Sequence, residues 1–342
     1  MGKKLFDYVI GNPPYQESNE TNGRQPPVYH EFMDAAYGVS KCVELITPAR
    51  FLFNAGQTPK TWNEKMLQDE HFKVLHYEEE AVKVFPNTEI KGGVAIHMRN
   101  EDKDYGSIQI FTEYEEMNSI LHKVLPFCTR TILDICIGAV PYHYSNMLKK
   151  DHPEWVELAG ESFDIRTNAF DKLANKIFFE EKPSNEDYVQ IFGLYNKKRR
   201  FMWVKCKYIE VPSNFSGYKI FVPKANGSGK FGEALSNTVI GMPNVGHTQS
   251  FISIGNFEKE ETARNLEKYV KTKISRALLS VLRKTQDTTP YKWKYVPLQD
   301  FTENSDIDWS KSIHEIDLQL YRKYGLDEKE IEFIESHVKE MA

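Results

Sequence analysis

Cysteine is scarce in this 342-residue chain. The four present (Cys42, Cys128, Cys136 and Cys206) lie far apart, with no Cys-x-x-Cys pair. That argues against a structural zinc and a disulfide framework, and it fits a reducing, cytoplasmic compartment. Long apolar runs are also missing, so neither a membrane-spanning segment nor a signal peptide is expected. His71, His76 and His97 lack metal-ligand spacing, and no Asp…Glu-x-Lys nuclease triad is recognisable. Internal repeats and low-complexity segments are absent too. Net charge is small, −5 at neutral pH. Any nucleic-acid contact therefore has to come from a local basic face rather than from the overall field.

What is there suits a folded, multi-lobed chain. Hydrophobic residues at 40% and charged residues at 27% are ordinary, and the length predicts two domains with a sizeable core. Aromatics are plentiful, with 21 Phe and 18 Tyr, most of them expected in the core. The most informative stretch is Phe6-Asp-Tyr-Val-Ile-Gly-Asn-Pro-Pro-Tyr15. Leu5 to Ile10 reads as a short buried strand that Gly11 ends. Asn12-Pro13-Pro14-Tyr15 then forms a rigid turn at the strand's C-terminal end, where open α/β sheets bind ligands. Average residue usage gives this tetrapeptide by chance about one time in a thousand in a chain this long.

Its chemistry suits a planar amine. The Asn12 side-chain oxygen and a carbonyl beside the prolines accept hydrogen bonds from an NH2 group, drawing the nitrogen lone pair out of conjugation. The prolines fix φ and remove competing N–H donors, so the acceptors are preorganised. Tyr15 supplies a ring face for stacking.

Asn12–Tyr15 resembles motif IV of the amino-methyltransferases, in the form typical of N6-adenine DNA methyltransferases. Val43-Glu-Leu-Ile-Thr-Pro-Ala-Arg-Phe-Leu52 is similar to the next strand and turn of the Eco57I/TaqI-type enzymes, and Val84-Phe85-Pro86 with the strand Gly93 to Met98 resembles their motif VIII. The resemblance implies that Tyr15 and Phe85 sandwich a flipped adenine, that Asn12 and Pro13 accept its N6 hydrogens while Pro14 stiffens the turn, and that S-adenosylmethionine donates the methyl group. It covers residues 1 to about 120, and the rest more loosely.

The same pattern shows what is lacking. In the family, the motifs that hold S-adenosylmethionine precede the Asn-Pro-Pro-Tyr turn, and only eleven residues precede Asn12. The expectation is a C-terminal part of a larger enzyme, with Met1-Gly2-Lys3-Lys4 an artificial or internal start. A circular permutation would need a later glycine-rich loop. Asn226–Gly232, after the strand-like Tyr218 to Val222, is the sole candidate, and Gly241, Pro243 and Gly246 leave little room for a receiving helix. The first strand would then expose an unpaired edge, to be covered by a missing N-terminal cofactor-binding lobe, by a second copy of this chain, or by local rearrangement.

The expected fold class is α/β: the second half of a Rossmann-like methyltransferase sheet (residues 1–122), a mixed α+β target-recognition domain (123–300) and a C-terminal helical tail (301–342) with Asp327 capping its second helix. Expected DNA contacts are Lys197, Lys198, Arg199 and Arg200 in a basic turn, extended by Lys205 and Lys207 along one strand face, with Lys224 and Lys230 around the glycine-rich loop. The alternative at the basic turn is a solvated hairpin tip. His247 to Ser250 carries base-reading side-chain types, and Lys273, Arg276, Arg283 and Lys284 read as the solvated face of a long helix. Tyr29, His30 and Glu31 are candidates to line the pocket. The function expected is site-specific adenine-N6 methylation of double-stranded DNA in a restriction–modification system, with a linked endonuclease as a further partner. A recognition module inert alone, or a methyltransferase acting on protein glutamine or RNA, stays open.

Overall fold

The computed structural model describes residues 4–16, 26–86, 88, 90–283 and 285–341. The chain forms two compact units, Met1–His122 and Lys123–Ala342. Lys284 and residues 1–3 lie outside the described residues.

The first unit is built on β1 (Phe6–Gly11), α1 (Tyr29–Val39), β2 (Ser40–Pro48), α2 (Lys60–Gln68), β3 (Phe72–Glu78) and β4 (Val94–Asn100). Its sheet runs in the order β1-β2-β4-β3. β1 and β2 are parallel, whereas β4 runs antiparallel to both β2 and β3. A parallel pair needs a crossover, and α1 is that crossover. Tyr29, Met33 and Tyr37, spaced four apart, bury one stripe of α1 against Val43 and Leu45 of β2. Phe51, Trp62, Met66 and Phe72 complete this core. Each such side chain contributes about 1.5–3 kcal/mol on burial.

β1 forms where the apolar pattern predicts a strand, but it is not buried. Phe6, Tyr8 and Ile10 are 57%, 46% and 73% exposed. Among the described residues β1 pairs only with β2, so one edge and one face have nothing against them.

The second unit begins as α3 (Glu115–Val124) ends, and carries β5 (Cys136–Ile137), β6 (His143–Tyr144), α4 (Asn146–Asp151), α5 (Val156–Ala159), α6 (Ala169–Leu173), β7 (Tyr188–Tyr195), β8 (Lys198–Lys205), β9 (Ile209–Glu210), β10 (Tyr218–Pro223), β11 (Val239–Gly241), β12 (Val245–His247), β13 (Phe251–Phe257), α7 (Glu260–Lys271), α8 (Lys273–Leu282), α9 (Ile313–Tyr324) and α10 (Glu328–His337). Its strands make small sheets, β11-β10-β13-β5, β12-β7-β8 and β6-β9. The whole is a mixed α/β chain with several sheets.

Helical residues expected to form one long helix are split at Thr272, whose hydroxyl caps α8 by accepting from the Ser275 amide at 3.3 Å. Arg276 and Arg283, expected on a solvated face, are each 1% exposed. Arg276 donates to the Lys271 carbonyl at 3.0 Å, and Arg283 to the Asn226 carbonyl at 2.9 Å. Carbonyls left over at the ends of neighbouring elements solvate these guanidiniums.

Residues 301–342 belong to the second unit rather than trailing from it. Lys123 donates to the Glu330 carboxylate at 2.7 Å and Lys273 to that of Glu335 at 2.5 Å. Asp327 caps α10 by accepting the Glu330 amide at 3.0 Å, while Glu330 returns the favour to the Asp327 amide at 2.8 Å.

Candidate functional site

In the first unit three chain segments meet at one end of the sheet. β1 and β2 are parallel, so the turn Asn12–Tyr15 and the turn starting at Pro48 leave the sheet on the same side. β4 runs the other way, so its entry, Ile90 to Gly93, arrives there as well. The Ala49 amide donates to the Gly93 carbonyl at 3.0 Å and ties the last two together.

A cavity of about 420 Å³ opens at this junction. Tyr15, Tyr29, Pro48, Arg50, Gln57 and Lys91 contribute to its wall. Tyr29, on the buried stripe of α1, has its phenol pushed up to about 12 by burial. Tyr15 is half-buried, its phenol also raised by burial, and its hydroxyl has no hydrogen-bond partner among the described residues. Phe85 stands beside it, held by its amide donating to the Ala81 carbonyl at 2.8 Å. The two ring centroids are 6.3 Å apart and the planes are inclined at 72°.

The structure brings some expected residues together and leaves others apart. Tyr15 and Phe85 are neighbours, and Tyr29 joins Tyr15 in the cavity wall. Asn12 and Pro14 are exposed and Pro13 half-buried at the mouth end of β1, and none of them lines the cavity. Arg50, Gln57 and Lys91 were not singled out by sequence reasoning. Gly56 and Gly92, both in the left-handed region at φ +94° and +87°, are the signal that marks their surroundings.

In the second unit, β7 and β8 form a hairpin with Tyr195 opposite Lys198. The two-residue loop Asn196-Lys197 has φ of 48° and 62°, a type I′ turn. Lys197, Lys198 and Arg200 are exposed. Arg199 is half-buried over the Phe251 ring and donates to the Asn237 carbonyl at 2.6 Å. The basic stretch does not continue along the strand: Lys205 is ion-paired with Glu186, and Lys207, in a separate turn, with Asp151 at 2.6 Å.

Other expected contacts divide between core and surface, with Gln249 and Ser250 half-buried. His247 and Thr248 are fully buried; burial lowers the imidazole to about 4, and its ring nitrogens lie 3.0 Å from the Thr248 carbonyl and 3.2 Å from the Ser253 hydroxyl. The loop Asn226–Gly232, flanked by half-buried Lys224 and containing exposed Lys230, turns its amides inward. Ser228 and Gly229 both donate to the Glu233 carboxylate, at 3.0 Å each. Those donors are therefore already satisfied by the chain itself. No helix of the expected length follows the loop, so this segment does not fit a cofactor cradle for S-adenosylmethionine.

A further cavity of about 400 Å³ in the second unit is lined by Tyr144, Glu161, Asp164, Arg166 and Lys172. Within it Asp164 pairs with Arg166 at 2.9 Å and lies 3.0 Å from the His143 ring.

Comparison with known proteins bears on the first unit. Residues 1–85 match the family model of the Eco57I restriction-modification methylase. The match takes in β1, α1, β2, α2 and β3 and ends on Phe85, so both Tyr15 and Phe85 fall within it. The chain is also 31% identical over 99 residues to an "Uncharacterized adenine-specific methylase" of Mycoplasma pneumoniae, a stretch that is 28% of this chain and 23% of that protein. It thus spans less than a quarter of that relative. Among solved structures it is similar to the type IIG restriction endonuclease BpuSI (TM-score 0.29, 11% identity, 86% of this chain and 44% of that one). A second is the type IIL restriction-modification enzyme MmeI in complex with DNA (TM-score 0.36, 9% identity, 97% of this chain and 56% of that one). No helix among the described residues is long and apolar enough to cross a membrane.

Proposed function

We propose that this chain is the adenine-receiving part of a restriction–modification DNA methyltransferase that modifies adenine N6. The observation that carries this reading is the pairing of Tyr15 with Phe85 beside a cavity at the C-terminal ends of two parallel strands, within the segment that matches the methylase family. The sheet order supports it: a parallel pair joined by a helix, continued by antiparallel strands, suits the second half of a Rossmann-like sheet.

A target adenine swings out of the duplex and lies against Tyr15. Phe85, now edge-on, turns to offer its other face, because stacking on both sides of a base requires near-parallel rings. The Asn12 side-chain oxygen and the Pro13 carbonyl accept the two N6 hydrogens, and the nitrogen lone pair then points away from the ring system toward an incoming methyl group. S-adenosylmethionine supplies that methyl in this chemistry, and no step through it is assigned to the residues described here. A separate cofactor-binding lobe, seated on the open edge of β1, is the partner that completes the reaction. In the second unit, Lys197, Lys198, Arg199 and Arg200 contact backbone phosphates of a duplex, with Lys224 and Lys230 as further phosphate contacts.

The test is recognition of the exocyclic amine. Duplexes carrying adenine or unsubstituted purine opposite an abasic site are titrated with the chain. The proposal predicts about tenfold tighter binding of adenine, lost in Asn12→Ala. Equal affinity for the two bases in the unaltered chain contradicts it.

A further inference from the structure

We propose that Arg50 anchors a phosphate flanking the flipped nucleotide, making the cavity a site for a whole nucleotide rather than a base alone. This rests on the adenine reading above and extends it to a residue outside the acceptor turn.

Arg50 sits at the start of the turn after β2, where its carbonyl accepts the Ala55 amide at 3.0 Å. Its aliphatic stem runs between two glycines. A Cβ on Gly92 would stand 2.7 Å from Arg50 Cγ, and one on Gly56 would stand 3.3 Å from Arg50 Cβ. Both glycines are in the left-handed region, where side chains are disfavoured. The chain therefore accepts two conformationally costly positions that leave a slot for this one stem. Long basic side chains otherwise have many rotamers, and confinement of this kind preorganises a charge.

The charge at the end of that stem acts on the Tyr29 phenol, which it lowers against the rise from burial. Among the described residues the Arg50 guanidinium has no hydrogen-bond acceptor and no carboxylate partner. Lys91 stands in the same wall, and no described residue lining the cavity is acidic. A cavity whose described lining is cationic and carries no acid, and that also holds the Tyr15 ring, suits a ligand with a planar face and a negative charge one sugar away. Adenine itself carries no charge, and an N–H donor on its ring nitrogens would withdraw electrons from N6. The phosphodiester of the flipped nucleotide meets the requirement, and a guanidinium holds it with paired hydrogen bonds.

The experiment uses the full chain and duplexes with 2-aminopurine opposite an abasic site, either unmodified or bearing one neutral methylphosphonate 5′ or 3′ of the aminopurine. Affinity is measured by anisotropy over a range of KCl concentrations, and base position by aminopurine emission. Arg50→Ala is expected to weaken binding about tenfold or more and to reduce the slope of log K against log salt by about 0.9. One of the two methylphosphonates should cost the unaltered chain a similar factor and cost Arg50→Ala nothing further. Arg50→Lys should keep the slope and recover part of the affinity.

Additive losses from Arg50→Ala and both methylphosphonates overturn the assignment, as does unaltered affinity in Arg50→Ala. Circular dichroism checks folding, and Arg50→Gln, which keeps most of the stem, stands in if the alanine variant unfolds. Additive losses together with an emission change that Tyr15→Ala abolishes leave the adenine reading intact and remove only the phosphate. No binding, or an emission change that ignores Tyr15→Ala, overturns both.

Discussion

Tyr15 and Phe85 meet edge to face, centroids 6.3 Å apart and planes at 72°, so the aromatic pair beside the cavity is assembled but not yet parallel. Phe85 is half-buried and lies outside the main core cluster of its unit. Replacing it should therefore affect binding more than folding. Phe85→Ala is expected to weaken binding of an aminopurine duplex by about 1–3 kcal/mol, with a melting temperature within a few degrees of the unaltered chain. A large fall in melting temperature with unchanged affinity would place the ring in the core instead.

The open edge of β1 predicts association. Phe6, Tyr8 and Ile10 are exposed on a strand that, among the described residues, pairs on one side only, which is a template for another strand. The chain should self-associate as its concentration rises, and Ile10→Lys should shift sedimentation velocity profiles toward monomer. A chain that sediments as monomer at high concentration would mean that the edge needs no cover.

His97 sets an acid limit on the first unit. It is fully buried, burial lowers its imidazole to about 3, and it lies 3.0 Å from the Thr47 hydroxyl. The unfolded ring titrates near 6.5. Below that value the unfolded state takes up a proton that the folded state refuses. Stability due to the neutral ring is complete above about pH 6.5 and is lost as pH falls toward about 3, at up to about 1.4 kcal/mol per pH unit. Urea unfolding followed by fluorescence from pH 7 to pH 5 should show this slope, and His97→Leu should lessen it.

Lys219 fastens part of the second unit. Its ammonium is fully buried and donates to the carbonyls of Asn214 at 3.0 Å, Phe215 at 2.8 Å and Gly217 at 2.8 Å. Lys219→Met removes one charge and leaves all three carbonyls without that donor. The expected cost is about 2–4 kcal/mol, read as a fall of roughly 5–10 °C in the calorimetric transition of that unit. A fall under about 2 °C would mean that water replaces the ammonium.

Much of the first unit is legible in sequence because periodicity reports which residues face a core. The stripe Tyr29, Met33, Tyr37 and the apolar runs of β2 and β4 appear where the pattern puts them. The nearness of Tyr15 and Phe85, with ring centroids 6.3 Å apart, is legible from the motif resemblance rather than from periodicity. The exposure of β1 is not legible: an apolar run says that a strand wants neighbours, not that it has them. Nor is the burial of Lys219, Arg276, Arg283 and His247. Arg276 and Arg283 are buried because carbonyls from distant segments converge on them, those of Glu233 and Lys339 on the first and that of Asn226 on the second, and such convergence has no local signature. The partners of Lys219 and His247 are near in sequence, but only the folded turn aims them inward. The Asn226–Gly232 loop misleads similarly, since its amides bond to Glu233, which lies just beyond the glycine pattern.

The most direct measurement is aminopurine emission when the chain is titrated into a duplex carrying 2-aminopurine opposite an abasic site, compared with Tyr15→Ala. The account predicts a saturable emission change in the unaltered chain as the base moves against Tyr15, lost or much reduced in the variant at equal occupancy. An identical change in both proteins, or none in either despite binding, would contradict the claim that this cavity receives the base.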